Sequence, residues 1–172
     1  MTWGTIPHPT YEDQRTLDGF GYTVSTAIVS VTAGNFLSAE LANPAGSGVN
    51  LVMTSRVFAN NVIGGQAPLE YVRYAPTATF PTGAPTVVPV NNRISGSAAS
   101  TATFKFMMSG TAPSGTATSS GFVPTNGEEK RIKDIVIIPP GGKLLYAVGG
   151  AGGGLAATAR IAMTFLFYVR PA

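Results

Sequence analysis

The sequence predicts an all-β protein, an antiparallel β-sandwich of jelly-roll type preceded by an extended N-terminal arm, and three features carry that prediction. β-Branched and aromatic residues gather in short runs, many of which alternate apolar with polar at period two. Proline and glycine, 13 and 21 of the 172 residues, fall between the runs and keep helices from continuing across them. No segment repeats at a fixed period, which argues against a solenoid or propeller and leaves a sandwich.

Residues 1–19 read as an arm. Trp3, Ile6, Pro7, His8 and Pro9 precede the polar stretch YEDQRTLD with no sustained period, and residues 20–172 make up the sandwich domain. Large apolar groups such as Trp3 and Ile6 gain nothing on a free tail, so the arm is expected to order against a neighbouring subunit.

The β runs begin with YTVSTAIVSV from Tyr22, then NFLSAELAN, then GVNLVMTSRVFA. Strict alternation in the third puts Val49, Leu51, Met53, Ser55 and Val57 on one face and Asn50, Val52, Thr54, Arg56 and Phe58 on the other. Asn43, Pro44, Gly46 and Gly48 supply turn chemistry before it. PLEYVRY sets Leu69, Tyr71 and Arg73 against Glu70, Val72 and Tyr74. Pro81, Pro85 and Pro89 make the next region a loop with a short edge strand, TATFKFMM is a strand, and APSGTATSSG is a small-residue loop. IKDIVIIPPGG reads as a strand ended by Pro139 and Pro140, with Gly141 and Gly142 free to take positive φ and KLLYAV returning beside it. After GGAGGG, Gly149 to Gly154, the run LAATARIAMTFLFYV carries Ile161, Met163, Phe165, Phe167 and Val169 on one face of a long strand.

Composition narrows the chemistry. The length suits one domain with a sizeable core. Without cysteine there is no disulfide framework, thiolate metal site or cysteine nucleophile. A net charge of +3 with 11% charged residues is a weak electrostatic footprint, and the one basic cluster, GEEKRIKD from Gly127 to Asp134, is internally balanced. Phosphate binding needs clustered Lys and Arg, so no nucleic-acid partner is expected. No run approaches the ~20 apolar residues of a membrane-spanning helix. MTWGTIPHPTYEDQR lacks the basic and apolar regions of a signal peptide, so a soluble protein made in a cytoplasm, with no membrane partner, is expected.

Catalytic constellations are weak. His8, the one histidine, lies in the arm, where nothing rigid would orient it for a Ser-His-Asp triad. One histidine and eight scattered carboxylates give no metal spacing. Gly152-Gly153-Gly154-Leu155-Ala156-Ala157 fits G-x-G-x-x-A, but no acidic residue follows Asp134, so a loop between strands is the better reading. Glu128 and Glu129 could form a glycosidase pair only outside their company of Lys130, Arg131 and Lys133, which makes a solvated charged turn. No catalytic, cofactor-binding or metal-binding residue is therefore assigned, and an enzyme is not expected.

Three segments carry a family likeness: NPAGSG, Asn43 to Gly48; PTVVPVNNRISGSAASTATFKF, Pro85 to Phe106; and IIPPGGKLLYAV with the β run that follows it. Together they span about Tyr22 to Val169, and the chain resembles the capsid decoration, or cement, proteins of tailed bacteriophages. The glycine tract and the GEEKRIKD turn depart from that pattern. The resemblance implies a jelly roll, often trimeric, seated on the outer shell between major capsid subunits, with an N-terminal arm in the contact. It implies a structural virion protein whose partners are the major capsid protein and its own copies, with Trp3, Ile6, Pro7, His8 and Tyr11 as the contact residues. The alternative is a receptor- or glycan-binding module of a phage tail or fibre, with Asn91 to Ser100 or Ser109 to Gly121 as its surface.

Overall fold

A computed structural model describes residues 14–16, 18–62, 69–84, 86–87, 89–91, 99–123, 129–150 and 153–172. Among the described residues thirteen strands are present: β1 (Gly21–Ser25), β2 (Val29–Val31), β3 (Phe36–Ala42), β4 (Val49–Val62), β5 (Leu69–Tyr74), β6 (Thr86–Val87), β7 (Val90–Asn91), β8 (Thr103–Ser109), β9 (Ala117–Val123), β10 (Glu129–Ile132), β11 (Val136–Ile138), β12 (Lys143–Gly150) and β13 (Ala159–Pro171). They form two antiparallel sheets. Sheet A has the order β10-β4-β13-β1-β7, with β11 also on β4 and β2 also on β13; sheet B has the order β6-β8-β3-β12-β5-β9.

The pairing is nested. β1 pairs with β13, β3 with β12, β4 with β10 and β11, and β5 with β9, so the first strand meets the last and each later strand meets an earlier one from the other end. That is the connectivity of a jelly roll, a long antiparallel ribbon rolled into two facing sheets. The two-residue strands β6 and β7 and the longer β8 are inserted between β5 and β9 and widen both sheets, β7 beside β1 and β8 beside β3.

The core lies between the sheets. The β13 residues Ile161, Met163, Phe165, Phe167 and Val169 are all buried in it, the face that period-two reading of the sequence assigns. An aromatic ladder joins the layers. Phe58 of β4 stacks on Tyr71 of β5 at 4.8 Å and meets Tyr146 of β12 edge-on at 5.4 Å, while Phe165 of β13 lies 6.0 Å from Tyr146 and 5.5 Å from Phe104 of β8. Contacts of this kind contribute about 0.5–1.5 kcal/mol each beyond the area they bury.

Four local readings change. The first is the face assignment of β4. Met53 pairs with Phe167 and Ser55 with Leu166, so Thr54 is an extra residue without a partner on β13. Its hydroxyl donates to the Leu166 carbonyl at 3.4 Å. A bulge shifts the parity of everything beyond it. Leu51 and Met53 face the core before the bulge; after it Arg56 and Phe58 do, and Ser55 and Val57 face outward.

The second is IKDIVII, which is two strands. β10 pairs with β4 up to Ile132, β11 resumes at Val136, and Lys133, Asp134 and Ile135 loop out beside the Thr54 bulge. The third is APSGTATSSG, half of which becomes β9. Its small residues have low strand propensity, but pairing with β5 supplies the ladder. A Cβ on Gly121 would lie 2.5 Å from Tyr71 Oη, so glycine there makes room for the stacked tyrosine.

The fourth is YTVSTAIVSV, which divides into β1 and β2 around Thr26 to Ile28, with Ala27 at φ 57°. Thr26 Oγ1 accepts the Met163 amide at 3.0 Å and donates to the Ala27 carbonyl at 2.8 Å, which stitches the break to β13.

Candidate contact surface

The five residues that the sequence nominates for contact, Trp3, Ile6, Pro7, His8 and Tyr11, lie outside the described residues. The described end of the arm is docked. Arg15 Nη2 donates to the Val169 carbonyl at 2.6 Å, and its guanidinium carbon sits 4.1 Å from the centre of the Phe20 ring. Arg15 and Phe20 are therefore fastened to the end of β13, just ahead of β1.

The outer face of sheet A presents a different surface. Lateral register places Tyr168, Val52 and Ile137 in one row across β13, β4 and β11, and Leu166 beside Ser55 in the next. Ile137 is 47% exposed and Ile135 71%. Their alternation partners Val136 and Ile138 pack on the core, so a β-branched residue at every position of IVII makes both faces of β11 apolar. Scattered exposed isoleucines are ordinary, but Ile137 on an edge strand and Ile135 in the loop before it, next to the half-buried Leu166 and Tyr168, make a patch of the kind that partners cover.

The Thr54 bulge and the Lys133–Ile135 excursion open a cavity of about 320 Å³ next to this patch, lined by Thr54, Ser55, Arg131, Lys133, Asp134 and Ile135 together with Leu166. Register sets the side chains: Arg131 lies opposite the outward Val57, and Ser55 lies opposite Leu166. Ser55 is only 7% exposed, and its hydroxyl makes no hydrogen bond among the described residues. Asp134 is already engaged, because Arg56 Nη2 reaches it in an ion pair from the core side. Among the described residues Arg131 and Lys133 have no ion-pair partner, which leaves the cavity wall with a positive balance.

Sheet B carries a second, more apolar cleft of about 220 Å³, with Phe36, Val72 and Ala147 as its floor and Glu70 and Tyr74 as its polar groups. Burial and the Glu70 carboxylate push the Tyr74 phenol above its ordinary value. The carboxylates that could make a hydrolytic pair are not brought together. Glu40 is held by Lys143 at 3.5 Å and lies opposite Leu145, whereas Glu70 lies opposite Gly149, four residues further along β12, a step of about 13 Å. Glu128 lies outside the described residues.

Gly149 lets neighbouring segments pack closely. A Cβ on Gly149 would sit 2.5 Å from the Gly153 carbonyl oxygen and 2.6 Å from the Phe36 ring, and Leu155 exchanges backbone hydrogen bonds with Gly34 and Asn35. Sequence reasoning passed over Ile135, Ile137 and Ser55. The available signal was the run IVII, too apolar for a strand with one wet face; the register that turns Ser55 away from the core depends on a bulge that alternation does not announce. Comparison of the chain with protein-family models, with curated proteins and with solved structures yields no match.

Proposed function

We propose that the protein is a structural virion component that binds the outside of a bacteriophage capsid and stabilises it by non-covalent contacts, acting as a trimer. The observation that carries this reading is the apolar outer face of sheet A, where Ile135 and Ile137 stand exposed near the half-buried Leu166 and Tyr168. Covering such a patch stabilises an assembly by roughly 25 cal/mol per Å² of apolar surface removed from water. A rigid scaffold suits the task, since contact residues on packed strands lose little freedom on binding. Two of the segments that resemble decoration proteins also meet in space: Asn43 of NPAGSG donates to the Ile138 carbonyl of IIPPGG at 2.9 Å.

The test is the position and copy number of the protein in purified particles by electron microscopy. Copies that match the shell lattice support decoration, and a few copies at one vertex overturn it in favour of a tail or fibre role. Removing residues 1–18, or replacing Ile135 and Ile137 together by serine, should leave a folded protein that no longer binds capsids. Full binding by both variants would sink the proposal.

A further inference from the structure

We propose that the cavity at the Thr54 bulge is a carboxylate-binding pocket, and that its occupant is an acidic side chain from an extended segment of a partner protein, flanked there by apolar residues. The proposal rests on reading the outer face of sheet A as a contact surface, and it names the chemistry of what that surface meets.

The pocket has the parts that a carboxylate requires. Ser55 places a buried hydroxyl on the floor with no hydrogen-bond partner among the described residues. A hydroxyl buried without a partner costs stability, and a ligand acceptor in the cavity would offset that cost. Arg131 and Lys133 line the same cavity, and the one acid there, Asp134, is occupied by Arg56. A carboxylate would accept from the Ser55 hydroxyl and from the Arg131 guanidinium, with Lys133 as a third, less directional cation.

The surroundings select an extended peptide over a small free anion. The cavity opens beside Ile135 and Ile137, which would cover the neighbours of the acidic residue. Among the described residues β11 pairs only with β4, so its other edge can receive a partner strand.

The test is a chemical-shift titration of the full chain with the capped peptide Thr-Val-Glu-Val-Thr, its twin with Gln in place of Glu, and sodium acetate at constant ionic strength. Saturable shifts at Ser55, Arg131 and Ile135 are expected with the Glu peptide, at least tenfold weaker with the Gln twin and with acetate. Replacing Arg131 and Lys133 together by alanine should abolish them. Ser55→Ala should weaken the Glu peptide about tenfold, the loss of one hydrogen bond to a charged group, while raising the urea midpoint because an unpartnered hydroxyl is gone.

Equal binding of the two peptides overturns the proposal, as does acetate binding as tightly as the Glu peptide. Ser55→Ala lowering stability and affinity together would also overturn it, since that pattern belongs to a structural serine. Because the titration uses no capsid, its failure leaves the capsid-binding result standing, and the reverse also holds.

Discussion

The guanidinium carbon of Arg56 lies 5.7 Å from the centre of the Tyr146 ring, inside the sandwich, with the side chain 1% exposed. One nitrogen, Nη2, pairs with Asp134, while Nε and Nη1 have no hydrogen-bond partner among the described residues. Burial lowers the Arg56 pKa from its ordinary value, partly offset by the phenols of Tyr146 and Tyr71. The charge nevertheless stays, because a guanidinium does not titrate in the accessible range.

A buried, partly satisfied cation makes the two partners unequal. Asp134→Asn leaves Arg56 without its counter-charge and should cost about 1–3 kcal/mol, less than for a fully buried pair because Asp134 is 51% exposed. Arg56→Met replaces the cation with an apolar chain of similar length and should be neutral or stabilising by up to ~3 kcal/mol. Adding Asp134→Asn to Arg56→Met should then cost nothing further. Urea unfolding of the three variants checks this, and a larger loss for Arg56→Met than for Asp134→Asn would show that Arg56 stabilises the core by contacts other than the ion pair.

Tyr146 sets a limit on alkaline stability. Burial pushes its phenol above the ordinary value of 10.0, opposed by the positive charges of Arg56 and Arg73 and reinforced by Tyr71. The unfolded chain therefore releases this proton first as pH rises. Stability is intact below about pH 10 and falls between there and the folded-state pKa, where the unfolded state binds fewer protons. Tyr146→Phe should flatten the decline in urea midpoint between pH 9 and 11 relative to the wild type. Parallel profiles for the two proteins would remove Tyr146 as its source.

The jelly roll was legible because its signals are local and redundant. Alternation in β13, Pro-Gly turns and the absence of a repeat all point to one architecture. What escaped depends on single long-range events. Thr54 looks like any other position of an alternating run; only its failure to find a partner on β13 makes it a bulge, and that one residue decides that Arg56 enters the core and Ser55 leaves it. β9 escaped because ATSSGFV has the composition of a loop and becomes a strand only through β5. The proposed contact surface was legible in part: IVII signals two apolar faces, but which isoleucines stay uncovered follows from the register with β4.

The last prediction concerns the turn that links β11 of sheet A to β12 of sheet B. Asn43 is buried where β3 ends, and its Nδ2 donates to the Val49 carbonyl at 2.7 Å and to the Ile138 carbonyl at 2.9 Å. Its backbone exchanges bonds with Gly141 and Gly142, with Gly141 at φ 80°, so one residue holds the Pro139–Gly142 turn against the start of β4. Asn43→Ala should cost about 2–3 kcal/mol, mainly from the Ile138 carbonyl, because Ser47 Oγ also reaches the Val49 carbonyl at 3.2 Å. Asn43→Asp should be worse than alanine at neutral pH, since a carboxylate would face two carbonyl oxygens with no donor between them. That arrangement raises the folded-state pKa of the introduced acid, so its added penalty should be absent below about pH 4 and grow as pH rises from there. Urea midpoints of Asn43→Asp and wild type from pH 3 to 7 measure the divergence, and profiles that stay parallel would mean that Asn43 does not donate to Val49 and Ile138.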